Sequence, residues 1–323
     1  MAEHPHVVVL CGGVGAARFL RGLVQLLPHH HITAIVNIAD DFTLHGLHVS
    51  PDLDTVTYTL ADAIDPERGW GLVDETWTAM QALARYGDGD WFSLGDNDLG
   101  THLHRTQRLS EGASLTEVTI EITKAWDVGV RILPVSDDPV ATYVTLADSG
   151  EEISFQRYFV GKQHAVPISA VRFDGVESAQ PSPEVRSALE SADVIVLAPS
   201  NPIVSIKPVL AIPGIRDALA QIAAPVVAVS PLVGGAALKG PAAAMMSELG
   251  HRPDAVGVAT MFRDLVDVLV IDDQDAGSAA EVAVAGCTPL VTNTIMSSPA
   301  ASAALARACL SAAALGVRTG SQS

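Results

Sequence analysis

The first forty residues alternate between unbroken apolar runs and a segment with helical spacing. Residues 7–11 form an apolar run typical of a buried strand, and residues 14–27 carry apolar positions at helical intervals. Residues 32–38 are rich in β-branched side chains and read as a second strand. A strand, a tight turn, a helix and a second strand are together the first unit of a parallel α/β sheet.

The middle of the chain has a different pattern. Helical spacing covers residues 73–86 and 97–109, and Ser114 with Glu117 forms a capping-box pattern before a further helix. Strand patterns follow at 131–135, 142–146 and 153–160. The last two are joined through Asp148-Ser149-Gly150, a hairpin signal, so they predict a small antiparallel appendage.

The α/β rhythm returns in the second half of the chain. Strand patterns are predicted there at 193–198, 226–229, 255–260 and 268–271, and an alanine-rich helix at 300–315. The predicted fold is α/β: a doubly wound, mainly parallel, Rossmann-like sheet with a helical and small antiparallel insertion. Residues 1–60 and 161–323 are assigned to a nucleotide-binding domain, and residues 61–160 to an inserted segment that contributes to an acceptor pocket.

Net charge and composition restrict the classes of binding partner that are expected. The chain has 323 residues, a formal net charge of -18 and a hydrophobic fraction of 48%. An acidic surface repels nucleic acid and anionic membranes, so neither is expected as a partner. The first apolar run becomes glycine-rich at once and reads as a strand rather than a signal peptide, so a cytoplasmic location is expected. Cys11, Cys287 and Cys309 are widely spaced and predict buried, reduced thiols.

The turn Gly12-Gly13-Val14-Gly15 links the first strand to the first helix. Glycines allow a ligand to approach the backbone closely, and the start of a helix presents free N–H groups to a phosphate. The turn is not a dinucleotide fingerprint, because Arg18 stands where the third glycine would be, and no Gly-Lys-Ser/Thr of a P-loop follows. It therefore favours a phosphate site of another kind over a plain tight turn.

An acidic cluster follows the second strand. Asp40 and Asp41 end that strand, and Asp52 and Asp54 open the next ordered segment. Two acidic turns beside a phosphate loop favour Mg²⁺, which takes few protein carboxylates and keeps positions for phosphate oxygens. The alternatives are helix capping and a single acid binding a ribose diol.

Four histidines are further polar candidates. His45 and His48, in the same loop, are secondary candidates for a base or for orienting an acid. His102 and His104 face different directions on a helix and are discounted as a ligand pair.

Two later loops also carry candidate ligand groups. Ser200 and Asn201 stand between two prolines after a buried strand, which suits binding of a phosphate, a hydroxyl or a base edge. Ser230 begins a second glycine-rich loop in which Lys239 is a candidate phosphate cation. An ordinary turn is the alternative for both loops.

A series of motifs in order resembles the 2-phospho-L-lactate transferase family, and its actinobacterial branch most closely. The motifs cover nearly the whole chain, more loosely in the C-terminal half, and Ala16-Ala17 stands where other members often have glycine. They are Gly12-Gly13-Val14-Gly15-Ala16-Ala17-Arg18-Phe19-Leu20, Val36-Asn37-Ile38-Ala39-Asp40-Asp41, Pro51-Asp52-Leu53-Asp54-Thr55, Ile64-Asp65-Pro66-Glu67-Arg68-Gly69-Trp70-Gly71, Asp90-Trp91-Phe92-Ser93-Leu94-Gly95-Asp96, Ala198-Pro199-Ser200-Asn201-Pro202, Ile212-Pro213-Gly214-Ile215-Arg216 and Ser230-Pro231-Leu232-Val233-Gly234-Gly235.

The resemblance implies a transferase of coenzyme F-420 biosynthesis. Its donor is a guanosine diphosphate-linked three-carbon acid, phospholactate or phosphoenolpyruvate, and its acceptor is the terminal hydroxyl of the deazaflavin Fo. The resemblance further implies that GMP is the leaving group, that Mg²⁺ is the cofactor and that the protein is a homodimer.

Each candidate residue then has a role in phosphoryl transfer, which depends mostly on positioning and charge neutralisation. The amides of Gly12, Gly13 and Gly15 hold phosphate oxygens, and Asp40 and Asp54 hold Mg²⁺. Asp41 or Asp52 orients or deprotonates the attacking hydroxyl.

Two other classes of protein remain open from the sequence. One is a regulatory nucleotide-sugar-binding protein of the gluconeogenesis-factor type, which binds without turnover. The acidic loop and the motifs around Trp70 and Trp91 argue against it. The other is an NAD-linked dehydrogenase, which the missing third glycine argues against.

Overall fold

The computed structural model describes residues 4–87, 91–237 and 240–314. The strands are, in chain order, β1 (Val7–Cys11), β2 (Ile32–Val36), β3 (Phe42–Leu44), β4 (Leu47–Val49), β5 (Arg131–Pro134), β6 (Ala141–Leu146), β7 (Glu152–Ser154), β8 (Ile168–Asp174), β9 (Val194–Leu197), β10 (Val226–Val229), β11 (Leu232–Val233), β12 (Ala236–Ala237), β13 (Val268–Ile271) and β14 (Thr288–Val291). The α-helices are α1 (Gly13–Leu23), α2 (Pro51–Leu60), α3 (Thr78–Leu83), α4 (Asp98–Ser110), α5 (Leu115–Ala125), α6 (Pro183–Glu190), α7 (Lys207–Ala211), α8 (Ile215–Gln221), α9 (Ala242–Glu248), α10 (Ala255–Met261), α11 (Ala279–Ala285) and α12 (Pro299–Ala313).

A seven-stranded sheet forms the centre of the molecule. Its strand order is β14-β13-β10-β9-β1-β2-β5, and every neighbouring pair is parallel. The chain winds outward in one direction from β1 through β2 to β5, and in the other from β9 to β14. This is the doubly wound, Rossmann-like order, so the predicted fold class is confirmed. The strand order reverses between β1 and β9, and the crevice at their carboxyl ends is where ligands bind in such sheets.

The core explains why the strands read as unbroken apolar runs. Every residue of β1 and β2 is buried, as expected for parallel strands covered on both faces. Helix α1 packs closely on α12, where a Cβ on Gly22 would lie 2.3 Å from backbone atoms of Ser302. The burial of strand β1 and helix α1 therefore places the turn between them at the sheet's crevice.

The small antiparallel sheet is present. β7, β6 and β8 lie in that order, and β6 pairs with β7 through the predicted hairpin. The capping box at Ser114 and Glu117 is also formed. The predicted limits at residues 60 and 161 do not follow the sheets, however. β5 pairs with β2 at the edge of the central sheet, and β8 joins the antiparallel one.

Several predicted elements differ from the structure. The predicted strand at 255–260 is helix α10, whose first five residues are all buried and whose start is capped by the Asp254 side chain. The predicted strand at 153–160 ends at Ser154 and continues as a π-helical turn, Arg157–Gly161. The predicted helix at 73–86 is reduced to α3 and one further turn, Ala84–Tyr86, and its predicted start at Val73 is exposed and lies in a turn.

The three cysteines are buried and unpaired, as predicted. Burial raises the pKa of the Cys287 thiol to about 11 and that of Cys309 to about 12, so both stay protonated at neutral pH. Among the residues that the structure describes, no helix combines the length and apolar character that a membrane crossing needs.

Candidate active site

The glycine turn is shaped for close contact on two sides. Gly12 is the N-cap of α1, and Gly13 has φ +73°, a left-handed conformation that favours glycine. A Cβ on Gly15 would lie 2.2 Å from the carbonyl oxygen of Pro199, so α1 can approach the β9 loop only because this residue is glycine. The three glycines thus set the position of the free N–H groups at the start of α1, where an anion would bind.

Ser200 holds this turn from the neighbouring strand. Its hydroxyl donates to the carbonyl oxygen of Gly12 at 2.8 Å and accepts from the Gly12 N–H at 3.3 Å. Both bonds are buried, and they connect β1 and β9 across the point where the strand order reverses. Ser200 therefore positions the backbone of the turn.

Ser200→Ala is expected to weaken binding of GDP, the nucleotide that the family resemblance implies, about tenfold, because it removes two buried hydrogen bonds to the Gly12 backbone. Calorimetric titration with GDP measures the effect. Ser149→Ala, in the exposed hairpin, is the control and should leave the affinity unchanged. A Ser200→Ala protein with unaltered GDP affinity would contradict this role.

Asp52 stands directly against the glycine turn. A Cβ on Gly12 would lie 2.5 Å from its Oδ2, and one on Gly13 would lie 3.5 Å from its Oδ1. The Asn37 side chain donates to Asp52 Oδ2 at 2.9 Å. Burial raises the pKa of Asp52 to about 7, against the lowering effect of the Asn37 and Gly13 hydrogen bonds. An anion on the turn would thus meet a carboxylate, and a cation between them would relieve the repulsion.

Asp40 and Asp41 complete a cluster of buried acids with Asp52. Burial, followed by the charges of Asp52 and Asp41, raises the pKa of Asp40 well above its usual range. Burial also raises the pKa of Asp41, although its Oδ2 accepts from Ser50 at 2.6 Å and lies 3.0 Å from His48 Nε2. The Oδ1 atoms of Asp40 and Asp41 are buried without a hydrogen-bond partner. Unpartnered buried oxygens and carboxylates with raised pKa values fit a hard cation such as Mg²⁺.

Asp54 has different surroundings from the other three acids. Arg105 of α4 forms two hydrogen bonds to its carboxylate, one of them at 3.1 Å from Nη1 to Oδ2. Asp98 and His102 lie beside it, and their ligand atoms and that of Asp54 fall within 4.8 Å of one another. The Arg105 charge already neutralises Asp54 and would repel a metal ion there. The structure thus groups Asp40 with Asp52 rather than with Asp54, the predicted second ligand.

The histidines separate as the helix spacing predicted. His102 is buried, whereas His104 is on the surface and lies 3.1 Å from Glu121. His48 is half-buried against Asp41, and His45 takes φ 50° in the turn between β3 and β4. The sequence pattern identified His102 and His104 as facing apart, but did not connect His102 with the acidic cluster.

The side chains of the later loops mostly bind their own backbone. Asn201 Oδ1 accepts from the N–H groups of Ile203 and Val204, and Ser230 Oγ bonds within its turn to Leu232. These contacts shape the loops, and ligand binding by the two side chains stays a prediction. Lys239 lies outside the described residues.

A second apolar cluster adjoins the acidic loop. Leu44, Val49 and Leu94 form its buried part, and Phe42 and Trp91 pack against it. The ring centroids of Phe42 and Trp91 are 5.7 Å apart. Arg157 of the π-helical turn covers Trp91, with its Cζ 5.3 Å from the ring centroid. The β3–β4 hairpin thus joins the acids to an aromatic surface.

Trp70 lies apart from this cluster. It is 45% exposed, and its ring centroid is 6.0 Å from that of Trp77.

Two residues of the site were missed by sequence reasoning. Asn37 links Asp52 to the β9 loop through its 3.4 Å bond to the Val204 carbonyl oxygen, and its place directly after β2 was the available signal. Arg105 lies 51 positions from Asp54 in the chain, and only the packing of α4 on the acidic loop brings the two together.

A doubly wound sheet with a glycine turn and buried acids at its switch point defines a Rossmann-like α/β protein with a candidate phosphate site. Residues 7–294 match the family model of 2-phospho-L-lactate transferase CofD. The chain belongs to this family, and it is a transferase of coenzyme F-420 biosynthesis.

Relatives support the family assignment. A Streptomyces griseus protein named phosphoenolpyruvate transferase is 46% identical over 308 residues, covering 94% of this chain and 97% of the relative. A Mycobacterium avium protein of the same name is 43% identical, with 94% and 97% covered. A crystal structure of a Bacillus halodurans protein of the UPF0052 family has a TM-score of 0.63 at 20% identity, covering 96% of this chain and all 100% of that one, and shows the same fold.

Proposed function

We propose that this transferase moves a phosphoenolpyruvate or 2-phospholactate group from a GDP-linked donor to the terminal hydroxyl of Fo, with release of GMP. The observation that carries the proposal is the buried acid Asp52, which lies directly against the glycine turn at the start of α1. A diphosphate on this turn needs a cation against Asp52, and phosphoryl transfer uses the same arrangement to neutralise charge on the reacting oxygens.

Asp40 and Asp52 are the proposed ligands of Mg²⁺. Their raised pKa values and the unpartnered Oδ1 of Asp40 indicate carboxylates that are short of positive charge. Bound Mg²⁺ would supply charge neutralisation to the diphosphate. Asp54 is paired with Arg105, and we assign it a supporting role and not that of a metal ligand.

Asp41 is the proposed partner of the attacking hydroxyl. Its Oδ1 is buried and free of hydrogen bonds, while Oδ2 is held by Ser50 and His48. A carboxylate with one oxygen held by hydrogen bonds and the other without a partner is suited to accept a hydrogen bond from an alcohol.

The product test is direct. Purified protein with Fo, the GDP-linked donor and Mg²⁺ should yield GMP together with a product heavier than Fo by the transferred phospho-acid, as seen by mass spectrometry. Donors carrying phosphoenolpyruvate and phospholactate, offered separately, identify the acid. A protein that binds a UDP-sugar and never consumes Fo would instead be of the regulatory class.

The acceptor is placed on the aromatic cluster of Phe42 and Trp91. Fo is a flat tricycle, and offset stacking on aromatic rings stabilises such ligands. Trp91→Leu is expected to weaken Fo binding about tenfold, because it removes the ring and keeps an apolar residue. Titration of Fo fluorescence measures this, and Trp70→Leu is the matched control. Equal losses from both variants, or none from Trp91→Leu, would exclude this placement.

The remaining expectations concern the whole protein. A cytoplasmic homodimer is proposed from the family resemblance, and size-exclusion chromatography with light scattering tests the dimer.

A further inference from the structure

A polar seam joins α2 to α4 beneath the acidic loop. Asp54 and Tyr58 are one turn apart on α2, and Asp98, His102 and Arg105 share one face of α4 by their spacing. All five are buried or nearly so. We call these five residues the α2–α4 seam. Buried positions on the inner faces of helices are ordinarily filled with apolar side chains.

Arg105 is the centre of this seam. It is the one lysine or arginine classed as buried in residues 4–87, 91–237 and 240–314. Its guanidinium grips the Asp54 carboxylate at both oxygens, and Nη1 also lies 3.4 Å from the His48 carbonyl oxygen. Burial acts to lower the pKa of Arg105, but the Asp54 carboxylate outweighs it and raises the pKa, so Arg105 stays charged.

The rest of the seam fixes the orientation of this pair. Arg105 Nη1 lies 3.3 Å from His102 Nδ1, and since a guanidinium can only donate, Nδ1 must be the acceptor. The imidazole proton is then on Nε2, which lies 3.2 Å from Asp98 Oδ2. Tyr58 donates to Asp98 Oδ1 at 2.6 Å. Hydrogen bonds thus join Arg105 to Asp54 and His102, and Tyr58 to Asp98, while His102 and Asp98 lie in close contact.

Replacing a buried ion pair by apolar residues is often neutral or stabilising, so stability alone does not account for the seam. Asp54 stands two residues after Asp52 in the first turn of α2, and Asp52 faces the glycine turn. The two hydrogen bonds from the Arg105 guanidinium to Asp54 fix the orientation and position of the first turn of α2. They thereby fix the position of the Asp52 carboxylate.

We propose that Arg105 is a positioning residue, whose two-point grip on Asp54 holds the first turn of α2 so that Asp52 and Asp40 form one cation site. The role rests on the proposed function. It predicts that the shape of the guanidinium is required as well as its charge, because an ammonium group cannot bind both oxygens in a fixed plane.

Arg105→Lys tests this. Its turnover and its affinity for Mn²⁺, a spin probe for the Mg²⁺ site measured by electron paramagnetic resonance, are each expected to fall at least about tenfold. The KM for Fo should change little, since the aromatic cluster is untouched. Arg108→Gln, on the exposed side of the same helix, is the matched control and should behave as wild type. Full activity and Mn²⁺ affinity in Arg105→Lys would show that charge suffices and would overturn the proposal.

A second variant covers failure to fold. The double variant Asp54→Asn with Arg105→Gln replaces the ion pair by two amides, so neither partner is left as an unpaired buried charge. We expect it to fold, with its melting transition preserved, and to bind Mn²⁺ at least about tenfold more weakly than wild type. Wild-type Mn²⁺ affinity in this folded variant would refute the positioning role. The wild-type product assay is run first, because it tests the proposed function alone. Mn²⁺ binding tests the role of the α2–α4 seam whatever the result of that assay.

Discussion

Asp52→Asn is expected to lower turnover at least about a hundredfold, a loss of about 2.7 kcal/mol of transition-state stabilisation. The same change should make the metal-free protein more stable at pH 8. Both effects have one origin: a buried carboxylate that lies against the glycine turn and has only the neutral Asn37 side chain and a backbone N–H as partners. An asparagine keeps the hydrogen bond to Asn37 but gives up the charge that a cation needs.

The direction of the pH dependence follows from the raised pKa. Asp52 loses its proton near pH 4 when unfolded and at about 7 when folded, so the folded state binds more protons between these values. Its contribution to the free energy of unfolding is therefore greatest below about pH 4 and is lost as the pH rises to 7. Added Mg²⁺ should stabilise the wild type more at pH 8 than at pH 6, because the proton no longer competes.

Thermal melts at pH 6 and pH 8, with and without Mg²⁺, measure this dependence. Asp148→Asn, in the exposed hairpin, makes the same change in net charge and controls for general repulsion in an acidic protein. If Asp52→Asn and Asp148→Asn have the same melting profiles and the same turnover, Asp52 is not part of the cation site.

Gly15→Ala is expected to lower GDP affinity at least about a hundredfold. The new Cβ would lie 2.2 Å from the carbonyl oxygen of Pro199, and a backbone atom cannot rotate away as a side-chain end can. Helix α1 must therefore move from the β9 loop, and its N–H groups move with it. The Ser200 hydrogen bonds to Gly12 are strained by the same displacement.

Gly100→Ala is the matched control for this variant. Gly100 is within α4 and is not in a left-handed conformation. A Cβ added there would meet no atom outside its own helix within 4 Å. Alanine there should raise the free energy of unfolding by about 0.5–1 kcal/mol and leave GDP binding unchanged. Calorimetry with GDP compares the two variants. Normal GDP affinity in Gly15→Ala would show that the start of α1 is not the phosphate site.

The sequence predicted the parallel sheet well because its strands are buried on both faces and hence apolar without interruption. It also located the glycine turn and the acids, because loops at the carboxyl ends of parallel strands share one edge of the sheet. It was wrong at 255–260, since a short apolar run has no period that separates a buried strand from a buried helix. It also assigned β5 to the insertion, because pairing with β2 is not visible in either segment alone.

The amino-acid sequence by itself determined the fold class, the family and the four acids near a glycine turn. Only the tertiary structure decided how those acids divide. Asp52 faces the turn, whereas Asp54, two residues later, is paired with Arg105 from a helix far along the chain. The physical reason is that alternate residues of a helix point in different directions, and the charge each one meets is set by what packs there. The sequence pattern shows that carboxylates are present, and tertiary packing decides which of them has a positively charged partner within the protein.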